Sequence, residues 1–149
     1  MSIVVKCDGG GRNNKRVVAA AALFKCSEDD LHCEDNCCSL KAVVFKGTTN
    51  DAELRAIYIG VRLLTEVSDA FDDAYIFSDS QLAINFINGL YRPHRDKFRR
   101  EVYKIARIIK SQRVTRRIFI QWIRRDLNKK ADQIGRLLQC SPENLENIK

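Results

Sequence analysis

Ala74-Tyr75-Ile76-Phe77-Ser78-Asp79-Ser80-Gln81-Leu82 is the stretch on which the fold turns. Its first half is rich in aromatic and β-branched residues, which suit a pleated, half-buried surface. At Ser80 the character changes. Serine caps helices by accepting a backbone N–H, and Leu82, Ala83, Phe86 and Ile87 then recur at helical spacing until Gly89 ends the pattern. A short apolar strand running directly into a helix is the unit from which parallel sheets are assembled. A carboxylate, Asp79, stands at the junction.

Working back toward the N-terminus, Leu54, Ile57, Tyr58, Val61 and Leu64 recur every three or four residues. That spacing predicts a helix with one buried face, capped by Thr49 or Asn50 and carrying Glu53 at its start. Leu40–Lys46 and Val17–Phe24 read as strands, and residues 25–39 between them as a long, acidic, exposed hairpin loop. Ser2–Cys7 is a further short strand that runs into Asp8-Gly9-Gly10-Gly11, read as a turn. Toward the C-terminus, Arg95–Lys110 is a helix with Phe98, Val102, Ile105 and Ile109 on its core face. Arg117–Ile123 is a fifth strand, apolar on both faces, and Lys129–Leu138 is a last helix following Asn128.

The order is three strands, helix, strand, helices, strand, helix. It predicts an α/β fold: a five-stranded mixed sheet, three antiparallel strands plus two parallel ones, flanked by helices. The 149 residues suit one domain, residues 1–149, in which 25–39 form a Cys-rich hairpin loop and 139–149 a C-terminal tail.

The net charge of +7 is unevenly spread. Residues 92–130 hold 15 Lys/Arg and three acids, a local charge of +12, so the remainder sums to −5. A basic segment on an otherwise acidic chain suits a polyanion such as nucleic acid, although a solvated helix face gives the same pattern. The longest apolar run, Val17–Phe24, is far short of a membrane span, and the N-terminus lacks a signal-peptide pattern. An intracellular protein without membrane association is expected. Six cysteines then imply reduced thiols. Cys26, Cys33, Cys37 and Cys38 beside His32 could bind zinc, but their spacing matches no paired Cys-x2-Cys framework, which favours free thiols in the hairpin.

Four carboxylates occupy positions that polar surroundings do not explain. Asp8 follows the first strand, Glu53 opens the first long helix, Asp79 follows the fourth strand, and Asp132 lies in the first turn of the last helix. Each alone has an ordinary reading as a turn residue or a helix N-terminal acid. Together they fall at strand ends and helix starts, which collect at one edge of an α/β sheet, where ligands bind. Clustered carboxylates repel, and divalent cations such as Mg²⁺ relieve that repulsion.

Val4-Val5-Lys6-Cys7-Asp8-Gly9-Gly10, Thr48-Thr49-Asn50-Asp51-Ala52-Glu53, Phe77-Ser78-Asp79-Ser80-Gln81-Leu82 and Trp122-Ile123-Arg124-Arg125-Asp126-Leu127-Asn128-Lys129-Lys130-Ala131-Asp132 together carry a resemblance. The chain resembles a type 1 ribonuclease H, in the compact branch without the basic handle, over all but the hairpin and the tail. The resemblance implies an endonuclease that hydrolyses the RNA strand of RNA–DNA hybrids with two Mg²⁺ ions, Mn²⁺ being able to substitute. It implies 5′-phosphate and 3′-hydroxyl products; a monomeric protein is expected. Asp8, Glu53, Asp79 and Asp132 match the family's metal-binding acids. Thr48 matches a residue that holds a DNA-strand phosphate, and Tyr91 stands where many relatives carry a tryptophan near that strand. Asn14, Asn50 and Gln81 fall where the family reads the minor groove, although the glycine loop before Asn14 is shorter than usual. The basic helix, with Arg99 and Arg100, would follow a phosphate backbone.

The chain departs from the family in the loop 124–128, which has no histidine, and at Thr49, where asparagine is common. Two rival readings remain: a resolvase- or integrase-like nuclease acting on DNA, and a catalytically silent nucleic-acid-binding module. Glu53 argues against the first, and retention of all four acids against the second.

Overall fold

The computed structural model describes residues 1–12, 14–67 and 73–140, the last two by backbone alone, so most of the tail 139–149 lies outside the described residues. Its elements are β1 (Ser2–Gly11), β2 (Lys15–Cys26), β3 (Cys37–Gly47), α1 (Thr49–Thr65), β4 (Asp73–Ser78), α2 (Gln81–Ile87), α3 (Asp96–Gln112), β5 (Arg117–Trp122), a 3₁₀ turn (Arg125–Leu127) and α4 (Lys129–Cys140). The strands form one sheet in the order β3-β2-β1-β4-β5. β1–β2 and β2–β3 are antiparallel, whereas β1–β4 and β4–β5 are parallel, as the element order requires. The expected five-stranded mixed sheet is the one found.

The two faces of the sheet divide the work. Ile3, Val5, Cys7, Ala19, Ala21 and Leu23 point to one face and pack under α1 and α3, through Leu54, Ile57, Leu64, Phe98 and Ile105. The opposite face carries two smaller clusters. Val18, Ala20 and Ala42 lie under Ala131 and Leu138 of α4, and Val4, Ala22, Phe24 and Phe77 meet Ile123 and Leu127. The long alanine run of β2 follows from this burial on both sides, where small side chains let helices approach closely.

Four local expectations are corrected. Asp8–Gly11 is no turn: β1 continues through it, Asp8 pairing with Ala20 and Gly11 with Val17, and the reversal comes only beyond Gly11, before β2 opens at Lys15. Gly9 serves close approach instead, since a Cβ there would stand 2.3 Å from the Ala52 carbonyl carbon of α1. The cap of α1 is Thr48, not Thr49 or Asn50; its hydroxyl accepts the Asp51 N–H while the Asp51 carboxylate accepts the Thr48 N–H. In α2, Ile84 is buried and Leu82 is partly exposed, because this short helix turns its Ala83–Ile84 side to the core. The fourth concerns residues 25–39. β2 and β3 extend into it, leaving a connection of ten residues, 27–36, that folds back onto the sheet rather than projecting into solvent. Gly89 does terminate α2 as expected, with φ of 77° in the left-handed region that glycine tolerates.

Candidate active site

Three of the four expected carboxylates converge at the edge of the sheet where β4 ends beside the later part of its parallel neighbour β1. Asp8 lies on β1, Asp79 directly after β4, and Glu53 just past the first turn of α1, brought over Gly9 by the close helix–strand approach. Ligand oxygens of the three lie within 4.8 Å of one another. The fourth, Asp132 in the first turn of α4, comes within hydrogen-bond reach of Asp8 and pairs with Arg136 one turn on, Nε to Oδ2 at 3.1 Å. The four line an open cleft of about 540 Å³ together with Gly9–Gly11, Asn50, Ser80, Arg125 and Arg136.

The electrostatics follow from crowding. The Asp8 carboxyl is pushed up to about 8, first by burial and then by the neighbouring charges and hydrogen bonds of Asp79 and Asp132. Glu53 is pushed up to about 9, again by burial first and then by Asp8 and Asp79, against the opposing effect of the Gly9 N–H and Arg125. Glu53 Oε2 is buried with no hydrogen-bond partner. A carboxylate oxygen stripped of water and left unpaired is expensive. Oxygen donors in this arrangement are what a hard divalent cation takes, and such a cation would satisfy the orphaned oxygen and the repulsion together.

The residues expected to contact substrate are spread around this cleft. Asn50 lines it, and Gln81 opens α2 beside the Ser80 cap, exposed. Asn14 sits in the β1–β2 turn with φ of 61°, its N–H donating to Gly47 O at 2.8 Å, which holds it near Thr48. Thr48 spends its hydroxyl on Asp51, as donor at 2.9 Å and as helix cap. Arg100 joins Lys46, Lys97 and Lys104 along a groove between α1, α3 and the end of β3. Arg99 turns back along its own segment, its Nε donating to Pro93 O at 2.7 Å. Tyr91 is 54% exposed beyond the end of α2, away from the lining of the cleft.

Two nearby residues were not singled out from the sequence. Arg125 Nε reaches Asp79 Oδ2 at 3.3 Å. Trp122 donates its indole N–H to the Asp79 backbone oxygen at 3.1 Å, with its ring half exposed at the rim. Both belong to the segment Trp122–Asp132, and the charge of Arg125, three residues beyond the end of β5, was the available signal.

This sheet order, with carboxylates late in β1, directly after β4 and early in α1, is the ribonuclease H fold. The chain belongs to the reverse transcriptase-like family, whose model matches residues 6–137. Similar solved structures include the N-terminal RNase H domain of Rv2228c from Mycobacterium tuberculosis, at 20% identity with 94% of each chain covered and a TM-score of 0.78. RNase H1 from the halophilic archaeon Halobacterium salinarum matches at 18% identity over 95% of this chain and 99% of its own, with a TM-score of 0.76. LC11-RNase H1, in a structure with an RNA/DNA hybrid, matches at 20% identity over 91% and 94%, with a TM-score of 0.75. No curated protein sequence matches the chain significantly. Among the described residues, no helix is long and apolar enough to cross a membrane.

Proposed function

We propose that this chain is an endonuclease that hydrolyses the RNA strand of RNA–DNA hybrids, leaving 5′-phosphate and 3′-hydroxyl ends. The observation that carries the reading is the convergence of Asp8, Glu53 and Asp79 around an unpartnered Glu53 oxygen, on the ribonuclease H fold. These residues, with Asp132, would hold two divalent cations, Mg²⁺ or in its place Mn²⁺. Bound cations would supply Lewis-acid stabilisation to the attacking and leaving oxygens of an in-line displacement.

The rest of the work falls to the protein. The Gly9 N–H orients Glu53, and the close packing of α1 on β1 fixes its distance from Asp8. Arg125, exposed in the same cleft beside Asp79, can leave that carboxylate for a phosphate oxygen of the substrate. Asn14, Asn50 and Gln81 present amide donors and acceptors to a minor groove. Thr48 and the Lys46–Lys97–Arg100–Lys104 groove would meet the opposite strand, and the exposed Tyr91 beyond α2 would contact that strand as well. Positioning of this kind supplies much of the barrier reduction in phosphoryl chemistry.

The test is cleavage of RNA–DNA, RNA–RNA and DNA–DNA duplexes by the purified protein in Mg²⁺, with end-group analysis of the products. Cutting confined to the RNA of the hybrid is expected. Preference for duplex DNA would transfer the chain to the DNA-directed reading, and binding without cutting to the silent one.

A further inference from the structure

We infer that Glu34, in the connection between β2 and β3, is a positioning residue for Asp132. The inference rests on the proposed reading only in treating Asp132 as a cation ligand.

Lys6 lies at the centre of β1, two residues before Asp8, and its side chain is 1% exposed. Its ammonium donates to Glu34 Oε2 at 2.9 Å and to Leu127 O at 2.5 Å. The other oxygen of Glu34 accepts the backbone N–H of Lys130 in the first turn of α4, at 2.8 Å. One carboxylate therefore ties the strand that carries Asp8 to the helix that carries Asp132. It does so at a helix N-terminus, where free N–H groups and the helix dipole favour negative charge. Lys130 is two residues before Asp132, so a shift of this first turn moves the fourth carboxylate directly.

Other contacts converge on the same junction. Asn128 Nδ2 donates to Cys7 O at 2.7 Å, anchoring the residue before α4 to the strand. The His32 ring packs on Phe77 at a centroid distance of 5.0 Å, and the Cys26 thiol donates to Cys33 O at 3.2 Å, which closes the connection on itself. The segment is thus folded so that Glu34 points inward, with 18% of its side chain exposed. The acidic, Cys-rich connection acquires a role that its composition did not suggest: it braces the N-terminus of α4.

Removing Glu34 alone would strand a buried Lys6 charge and risk unfolding the protein. Two double variants avoid this. Lys6→Met with Glu34→Gln deletes the ion pair but keeps an oxygen acceptor for the Lys130 N–H. Lys6→Met with Glu34→Ala deletes both. Each is titrated calorimetrically with Mn²⁺ in the absence of nucleic acid, and circular dichroism checks the fold. The Gln variant is expected to bind Mn²⁺ within about twofold of the wild type, and the Ala variant at least fivefold more weakly. On hybrid the Ala variant should lose kcat while KM changes little, since the substrate-facing residues are elsewhere. Equal Mn²⁺ affinity in the two folded variants would overturn the inference. The titration does not depend on which nucleic acid is cut, so it separates this inference from the proposed activity.

Discussion

Arg125 Nε stands 3.3 Å from Asp79 Oδ2, in a pair whose members differ sharply in exposure, 77% for the arginine side chain and 4% for the aspartate. Asp79 is fixed by the end of β4, while Arg125 is free to move at little cost. With the arginine open to solvent and only the aspartate buried, the pair is worth about 1 kcal/mol, the upper end of the range for solvent-screened pairs. Arg125 therefore competes weakly with a cation for Asp79, and becomes available to a phosphate once the cation binds. Arg125→Ala is expected to tighten Mn²⁺ binding by up to about fivefold without nucleic acid. It should at the same time weaken hybrid binding. Isothermal titration with each ligand separately checks both signs, and weakening of both would show that Arg125 only supports the fold.

The carboxylate cluster sets a pH dependence whose sign is fixed. The folded values of Asp8 and Glu53, about 8 and about 9, lie above their ordinary values of 3.8 and 4.5. Across that interval the folded protein keeps protons that the unfolded chain has released. The stability from these groups is complete below about pH 4 and is lost as pH rises through 8 to 9. In EDTA the melting temperature should fall by several degrees between pH 6 and pH 9, taking about 2–4 °C per kcal/mol for a chain of this size. Glu53→Gln should flatten the fall. Cation binding must displace the same protons, so the Mg²⁺ needed for half-maximal cleavage should decrease as pH rises from 7 to 9.

Asp79→Asn removes one charge from the cluster while keeping its volume. Cleavage in Mg²⁺ should drop below detection, with an unchanged far-ultraviolet spectrum. In EDTA the variant should melt no lower than the wild type, because like-charge repulsion is relieved as the Arg125 pair is weakened. A variant that cuts at near wild-type rate would remove Asp79 from the proposed site.

What the sequence made legible was whatever is encoded locally. The strand–Asp79–helix junction and the Leu54–Leu64 periodicity could be read from neighbours within a turn or a strand, the four acids from their joint order and the motifs around them, and the mixed sheet from the order of the elements. Lys6 and Glu34 could not be. A lysine after Val4-Val5 looks like an ordinary outward residue, and its partners lie 28 and 121 positions away. Periodicity carries no information about such contacts. The three glycines failed for a related reason. Asp-Gly-Gly-Gly is good turn chemistry, but Gly9 is required by the crossing of α1 over β1, a tertiary event. Thr48 was missed as a cap because Thr49 and Asn50 are equally good candidates, and only the position of Asp51 selects among them.

The basic groove should govern affinity without choosing sequence. Each lost phosphate contact reduces the slope of log affinity against log salt by roughly 0.9 for duplex DNA and 0.7 for a single strand. Arg100 lines the groove with Lys46, Lys97 and Lys104, so Arg100→Ala should flatten the slope by just under one unit. Arg99 is engaged by Pro93 O and stands 3.7 Å from Asp96, and Arg99→Ala should leave the slope nearly unchanged. Filter binding to hybrid across a salt series distinguishes them. Equal effects would mean that Arg99 leaves Pro93 when nucleic acid binds.

Strand choice should rest on the 2′-hydroxyl rather than on base identity. An A-like minor groove is wide and displays 2′-hydroxyls, which let a protein tell RNA from DNA at a given position. Asn50 and the Gly9–Gly11 backbone line the carboxylate cleft, Gln81 opens the neighbouring helix, and Asn14 projects from the β1–β2 turn. In the proposed reading these groups would face one strand, and Thr48 with the basic groove the other. A polar group left unpaired at a closed interface forfeits about 1–3 kcal/mol, so a few such contacts give discrimination of several hundredfold. The measurement is cleavage of a hybrid whose RNA strand carries a short run of 2′-deoxy residues, mapped at nucleotide resolution. Cleavage should vanish inside the run, resume outside it, and never appear on the complementary DNA strand. Asn50→Ala and Gln81→Ala should each slow cutting of the all-RNA strand by about tenfold, the lower end of that 1–3 kcal/mol range. Cutting that continues through the deoxy run would mean that these amides do not read the sugar, and that strand choice comes from the phosphate groove instead.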